Sequence, residues 1–295
     1  MISGKINKVV VKQKKMGKVV IFVFLYFIAN SSLQAQRLME SPKGSVEVNQ
    51  QAEVLNLAKA SQNPVADLNT VPIQFNWFSG GGLGNQTLSQ TLIQPVLPLP
   101  LNKEYNIVSR TIAPVVSIPG PGGEKEQGIA DIQEQLYLSP AHPNGIIWAF
   151  GPVFSLPTAT VNAIATGQFA AGPAAILLGM PGRFVMGGVI NQIWRIAGST
   201  TTTPINSFFL QPFINYNFQL GWSIMSAPSI TANWSAVSGQ QWTVPVGIGL
   251  SKITKIGEQP LNISFQYYHN AVRPDNTGAD QVRMVVAFLF PKKKQ

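Results

Sequence analysis

From Trp242 to Ser251 the chain alternates at every step. Trp242, Val244, Val246, Ile248 and Leu250 share one parity, and Thr243, Pro245, Gly247, Gly249 and Ser251 share the other. Strict period-two alternation marks a strand with two unlike faces. In a soluble sheet the second face carries charge, whereas here it is small and uncharged. The same contrast returns along the chain. Segment 205–218 sets Phe208, Leu210, Pro212, Ile214, Tyr216 and Phe218 against Ser207, Phe209, Gln211, Phe213, Asn215 and Asn217. Segment 260–272 sets Leu261, Ile263, Phe265 and Tyr267 against Asn262, Ser264, Gln266, Tyr268 and Asn270. In 221–234 one parity begins at Trp222 and ends at Trp234, and aromatics near strand ends suit two membrane interfaces.

Twelve such segments follow one another at roughly 71–79, 87–98, 104–116, 128–139, 145–156, 170–180, 183–197, 205–218, 221–234, 241–254, 260–272 and 281–290. Connections after the even-numbered segments are short. Several after the odd-numbered ones are longer and rich in glycine or polar residues: Ser117–Gln127, Thr158–Gln168 and Arg273–Asp280. An even strand number with short turns on one side and long loops on the other describes an outer-membrane barrel. Only a closed barrel satisfies the backbone of strands in hydrocarbon. The fold expected is all-β: a twelve-stranded antiparallel transmembrane β-barrel over 71–291, preceded by a short N-terminal helical segment. A soluble β-sandwich accounts for the spacing. It does not account for one face staying apolar when charged residues make up 11% of the chain, against about 25% in soluble domains.

The net charge of +9 is unevenly placed. Lys5, Lys8, Lys12, Lys14, Lys15 and Lys18 precede the apolar run Val19–Ala29 and the polar stretch ending at Ala35, the three parts of a secretory signal. Residues 1–35 are therefore expected to be a signal peptide, cleaved after Ala35 or after Ser31; the run is too short for a spanning helix. Beyond it, 15 basic residues stand against 12 acids, three of the basic ones in the C-terminal tail 292–295. No basic stripe interleaved with aromatics remains, so nucleic acid is not an expected partner. Residues 36–70 form a periplasmic or plug segment. Gln50–Ala60 is expected to be a helix with Val54, Leu55, Leu57 and Ala58 on its apolar side, ended at Asn63-Pro64.

The exported part resembles a bacterial family of outer-membrane transporters named for the meta-pathway of phenol degradation. The resemblance lies in LAKASQNPVADLNTVPIQFNW (57–77), LIQPVLP (92–98), IVSRTIAPVV (107–116), GIADI (128–132), FGPVFSLPTAT (150–160), FLQPFINY (209–216), QWTVPVGIGLSK (241–252) and AFLFPK (287–292). It implies a barrel that passes small, aromatic or hydrophobic compounds, and it carries no catalytic residues.

Charges on the inward parity are the informative residues, because an Arg or Lys facing lipid near the midplane costs about 2–4 kcal/mol. Parity turns Arg110, Asp131, Gln133, Tyr137, Arg195, Phe209, Phe213, Tyr268 and Arg283 toward the lumen, as a selecting constriction or as a stiffening network. Asn63, Pro64 and Asp67, just before the first strand, are candidate plug residues. Glu134 shares the outward parity of Ile132, Leu136 and Leu138, which suggests a displaced register or a bulge. Pro95, Pro114, Pro152, Pro212 and Pro245 fall inside strands, where each removes a ladder donor and predicts a bulge or a missing pair.

Little suggests chemistry. The chain has no cysteine and only His142, in a turn, and His269, near a loop. Neither has ligands at metal-site spacing, and His269-Asn270-Ala271 lacks the serine of a lipid hydrolase. GGGLG at 80–84 lacks the Lys-Ser/Thr of a phosphate loop. The expectation is a non-enzyme without cofactor or metal. Its partners would be the outer-membrane bilayer, a small organic solute and the assembly machinery, reached through the C-terminal strand. Its work would be passive uptake of small organic compounds. The rival is a structural or binding barrel with a filled lumen and no transport.

Overall fold

The structure is a computed structural model, and it describes residues 44–81, 86–119 and 125–291. The expected signal peptide, the basic tail and part of GGGLG lie outside the described residues. From Gln51 onward the chain forms one compact unit.

One helix, α1 (Gly44–Gln62), precedes the sheet. It ends one residue before Asn63-Pro64, where proline cannot continue it. Asn63 Oδ1 accepts the Val65 N–H at 3.0 Å and turns the chain toward the first strand. Among the described residues no helix is long and apolar enough to cross a membrane.

Twelve antiparallel strands then close on themselves, each expected segment becoming one. They are β1 (Asn69–Gly81), β2 (Gln86–Ile93 and Val96–Pro100), β3 (Tyr105–Pro119), β4 (Lys125–Ile129 and Ile132–Pro140), β5 (Ile147–Leu156) and β6 (Gln168–Gly179). The chain continues through β7 (Phe184–Gly198), β8 (Asn206–Asn217), β9 (Trp222–Ser226 and Ile230–Asn233), β10 (Trp242–Ile256), β11 (Gln259–Val272) and β12 (Asp280–Phe290). Each strand pairs with the next, and β12 returns to β1 from Asn69↔Phe290 to Ser79↔Asp280. Of the expected loop at Ser117–Gln127, the described residues 117–119 and 125–127 are strand. Pairing of β3 with β4 runs out to Pro119↔Lys125.

The outer surface is apolar. Val246, Ile248 and Leu250 are 54–57% exposed, as are Phe150 and Leu177. Aromatic clusters band both ends: Tyr105, Trp148 and Phe150 with Phe184, Tyr216 and Phe218 at the short-turn end, and Phe208, Trp234 and Trp242 at the long-loop end. A water-facing surface of this kind would be an aggregation hazard, whereas a lipid-facing one is stable.

Prolines interrupt the ladder in three ways. Pro95 breaks β2 without changing its register on β3, since Ile93↔Ala113 and Val96↔Arg110 lie on one diagonal. Pro245 opens a bulge against β11. Pro152 and Pro173 face each other across β5 and β6. Pairing of β5 with β4 lapses between Gln135↔Val153 and Leu138↔Phe150, and that of β6 with β7 lapses between Ala171↔Trp194 and Ala174↔Asn191. Each proline would have donated into one of those gaps. Gly151 and Gly172 precede these prolines, and a Cβ on either would overlap a carbonyl oxygen, of Leu136 or Gln192. Pro114 keeps its register opposite Leu92 on β2, but on its other side pairing with β4 lapses between Ile112↔Gln133 and Val115↔Ile129 and shifts by one residue, the bulge expected there.

Glu134 keeps its outward parity, and no register shift occurs there; the irregularity in β4 falls instead at Ala130-Asp131, outside its continuous pairing with β3. The carboxylate is tolerated because Ser109 Oγ and Thr111 Oγ1 on β3 each donate to it at 2.6 Å.

Candidate functional site: the lumen

The inward parity of β3 and β4 brings Arg110 opposite Gln135. Arg110 Nη1 donates to Gln135 Oε1 at 3.3 Å, and Nη2 donates to Gln94 Oε1 at 2.7 Å. Gln94 stands in the proline break of β2. Tyr137 is 1% exposed and donates its hydroxyl to Gln135 at 3.0 Å. The chain of amides continues along β1. Gln94 Nε2 donates to Gln74, Gln74 Nε2 to Asn76, and Gln281 Nε2 to Asn76.

A second cluster forms at the break in β9. Its register on β8 is the same on both sides, Ile214↔Ser226 and Leu210↔Ile230, which sets Pro228 opposite Pro212. The backbone groups freed there are satisfied from inside the barrel. Ala227 N–H donates to the Tyr268 hydroxyl at 2.9 Å, and Arg283 Nη1 donates to the Ala227 carbonyl at 2.9 Å. Arg283 Nη2 donates to Ser229 Oγ at 3.1 Å, and Gln211 Nε2 reaches the same hydroxyl at 3.1 Å. The Arg283 guanidinium lies 4.9 Å from the centre of the Tyr268 ring. Buried backbone polar groups must find partners, so the strand break and the inward Arg283 explain each other.

Two cavities lie in the lumen and share one wall residue, Arg110. The outer one, about 620 Å³, is lined by Gln133, Gln135 and Phe209 and reaches the β11–β12 loop at Pro274 and Asp275. The inner one, about 190 Å³, is lined by Phe213, Gln266 and Arg283 and reaches Ser61, Gln62 and Pro64.

The inner cavity is bounded by the end of α1. Gln62 Nε2 donates to Asn217 Oδ1 at 2.9 Å, and Asn262 Nδ2 donates to Ser61 Oγ at 2.8 Å. Lys59 Nζ donates to the carbonyls of Met180 and Gly182 in the short β6–β7 turn, both at 2.9 Å. Ala58 and Leu68 pack with Ile253, Ala287 and Leu289, and Val65 joins the apolar side chains of β5–β7. The helix end thus holds to the short-turn mouth by apolar packing and hydrogen bonds.

Arg110, Gln133, Tyr137, Phe209, Phe213, Tyr268 and Arg283 therefore gather around the two cavities or the network between them. Asp131 and Arg195 stand apart. Asp131 accepts the Ala159 N–H at 3.0 Å and the Thr166 hydroxyl at 2.6 Å, holding the β5–β6 loop. Arg195 Nη1 donates to the Ser199 carbonyl at the start of the β7–β8 loop. Of the three plug candidates, only Pro64 lines a cavity; Asn63 makes its turn, and Asp67 is exposed. His269 lies outside the lumen, where its Nδ1 and the Tyr267 hydroxyl share Asp280 Oδ1 at 2.9 and 2.6 Å. Gln74, Asn76 and Gln94 escape a search for charges, although in strand one Gln74 and Asn76 alternate visibly with Ile73, Phe75 and Trp77.

No family model and no curated protein matches the chain, so the resemblance to the phenol meta-pathway family rests on the stretches quoted above. Solved structures share the fold. The chain is similar to an outer membrane channel from Pseudomonas putida F1 with a TM-score of 0.56 and 12% identity, over 76% of this chain and 94% of that one. It is similar to the NanC porin with a TM-score of 0.50 and 8% identity, over 75% of this chain and 100% of that one. A closed ladder, an apolar outer band and aromatic girdles, in a fold shared with these proteins, make the chain a β-barrel of the bacterial outer membrane.

Proposed function

We propose that the barrel is a channel for diffusion of small organic compounds, aromatic or hydrophobic ones among them. A single observation carries this reading: the lumen holds two cavities that meet at Arg110. A solute enters the outer cavity past the long loops, passes Arg110 beside Gln133, Gln135 and Tyr137, and reaches the inner cavity beside Phe213 and Arg283. Phe209 and Phe213 offer ring faces, and the amides offer hydrogen bonds, so an amphipathic solute is accommodated at each step. Asp131 and Arg195 hold the loops of the outer entrance. The segment 45–68, turning at Asn63-Pro64-Val65 and leaving by Asp67, is a plug at the short-turn mouth, and its movement opens the path. Both chain ends of the barrel then face the periplasm.

Planar-bilayer recording on the purified barrel tests the reading. The full chain should conduct weakly, and a variant lacking residues 36–66 should conduct several-fold more. Unchanged conductance would remove the plug. Absence of permeation by any small solute, in both forms, would favour a filled barrel without transport.

A further inference from the structure

Arg110 and Arg283 both line the inner cavity, and no Asp or Glu does among the described residues. Arg110 is bonded only to the amide oxygens of Gln135 and Gln94. Arg283 is 3% exposed, and its partners are a carbonyl, a hydroxyl and the Gln266 amide oxygen. Its Nε–H is buried with no acceptor. Neutral dipoles solvate a guanidinium but leave its charge uncancelled, and buried cations are ordinarily paired with carboxylates. In the outer cavity the acid is Asp275, on the β11–β12 loop, where it accepts a hydrogen bond from Gln240. The inner cavity therefore carries two positive charges, facing apolar walls at Val189, Phe213 and Met225.

We infer that the inner cavity is a binding site for a small organic monocarboxylate with a compact apolar body. The carboxylate lies between Arg110 and Arg283 and cancels the charge that their neutral partners leave. The body packs on Phe213, Val189 and Met225. The guanidinium fork suits a carboxylate better than a halide, because it offers two parallel donors to two oxygens. The cavity of about 190 Å³ holds one ring and its carboxylate. This assignment rests on the channel reading only for its meaning as a substrate class; binding itself needs no transport.

The test is calorimetric titration of the folded, full-length barrel in detergent with benzoate, and with benzyl alcohol as a neutral probe of similar size. Benzoate should bind saturably and at least tenfold more tightly than benzyl alcohol. Gln266→Glu places a carboxylate on Arg283 without removing either arginine, and it should weaken benzoate at least tenfold. Arg110→Gln with Arg283→Gln should do the same, and the heat-induced gel shift verifies that each variant is folded. Equal binding of the two probes, or benzoate binding indifferent to Gln266→Glu, would overturn the inference. Binding without permeation would retire the channel reading and leave the site. Permeation that ignores solute charge, with no benzoate binding, would retire the site and leave the channel.

Discussion

The wall formed by β5, β6 and β7 turns Ala149, Val153, Ala170, Ala174, Ile176 and Val189 inward, while the wall across the lumen, formed by β11, β12 and β1, turns in Asn262, Ser264, Gln266, Gln281, Arg283 and Asn76. Both walls have the same apolar exterior and the same alternation. Their interiors differ because they do different work. The first wall is packed like a protein core, against Val65, Phe209 and Phe213. The second is a hydrogen-bonded lattice in which amide donors and acceptors satisfy one another and the breaks in the ladder. A barrel interior can thus be closed by packing on one side and kept polar on the other, without changing the outward pattern at all.

That asymmetry is open to being broken. Ile176→Asp should have the largest effect. A carboxylate there would be buried in an apolar cluster, and an unpaired buried charge costs several kcal/mol. The expected result is loss of the heat-modifiable folded band. Gly172→Ala should come next, because a Cβ there overlaps the Gln192 carbonyl. Overpacking of this kind costs about 1–3 kcal/mol, read as a lower urea midpoint of unfolding in detergent. Arg283→Met on the lattice wall should act on selectivity as well as on stability, since it leaves the Ala227 carbonyl unpaired at a cost of about 1–3 kcal/mol. It removes one of the two inner-cavity charges, so the reversal potential in a salt gradient should move away from anion preference. Glu134→Gln should have the smallest effect, about 1 kcal/mol or less, since one of the hydroxyls of Ser109 and Thr111 can still donate to the amide oxygen while the other accepts from the amide nitrogen. A large loss there would mean that the outward carboxylate has a role beyond satisfying its neighbours.

The exterior is legible in the alternation of the chain. That pattern places Trp242 to Leu250 outward, counts twelve strands and marks the proline irregularities at Pro95, Pro212 and Pro245. It also marks Arg110 and Arg283 as inward. It does not find Gln94, whose side chain reaches Arg110 only because Pro95 breaks the strand there. Nor does it place Asp131, which shares its parity with Gln133 but is drawn to the loop at Ala159 and Thr166 where the β4 bulge turns it.

Parity along one strand decides which face a side chain takes, because successive Cβ atoms point to opposite sides of the sheet. For that reason the sequence alone determined the fold class, the strand number and the lipid-facing surface. Which inward residues meet depends on closure: Gln281 reaches Asn76, 205 positions earlier, because β12 pairs with β1. The two walls, the shared position of Arg110 between the cavities and the uncompensated pair of arginines therefore exist only in the closed barrel, where register and shear bring distant strands to one level.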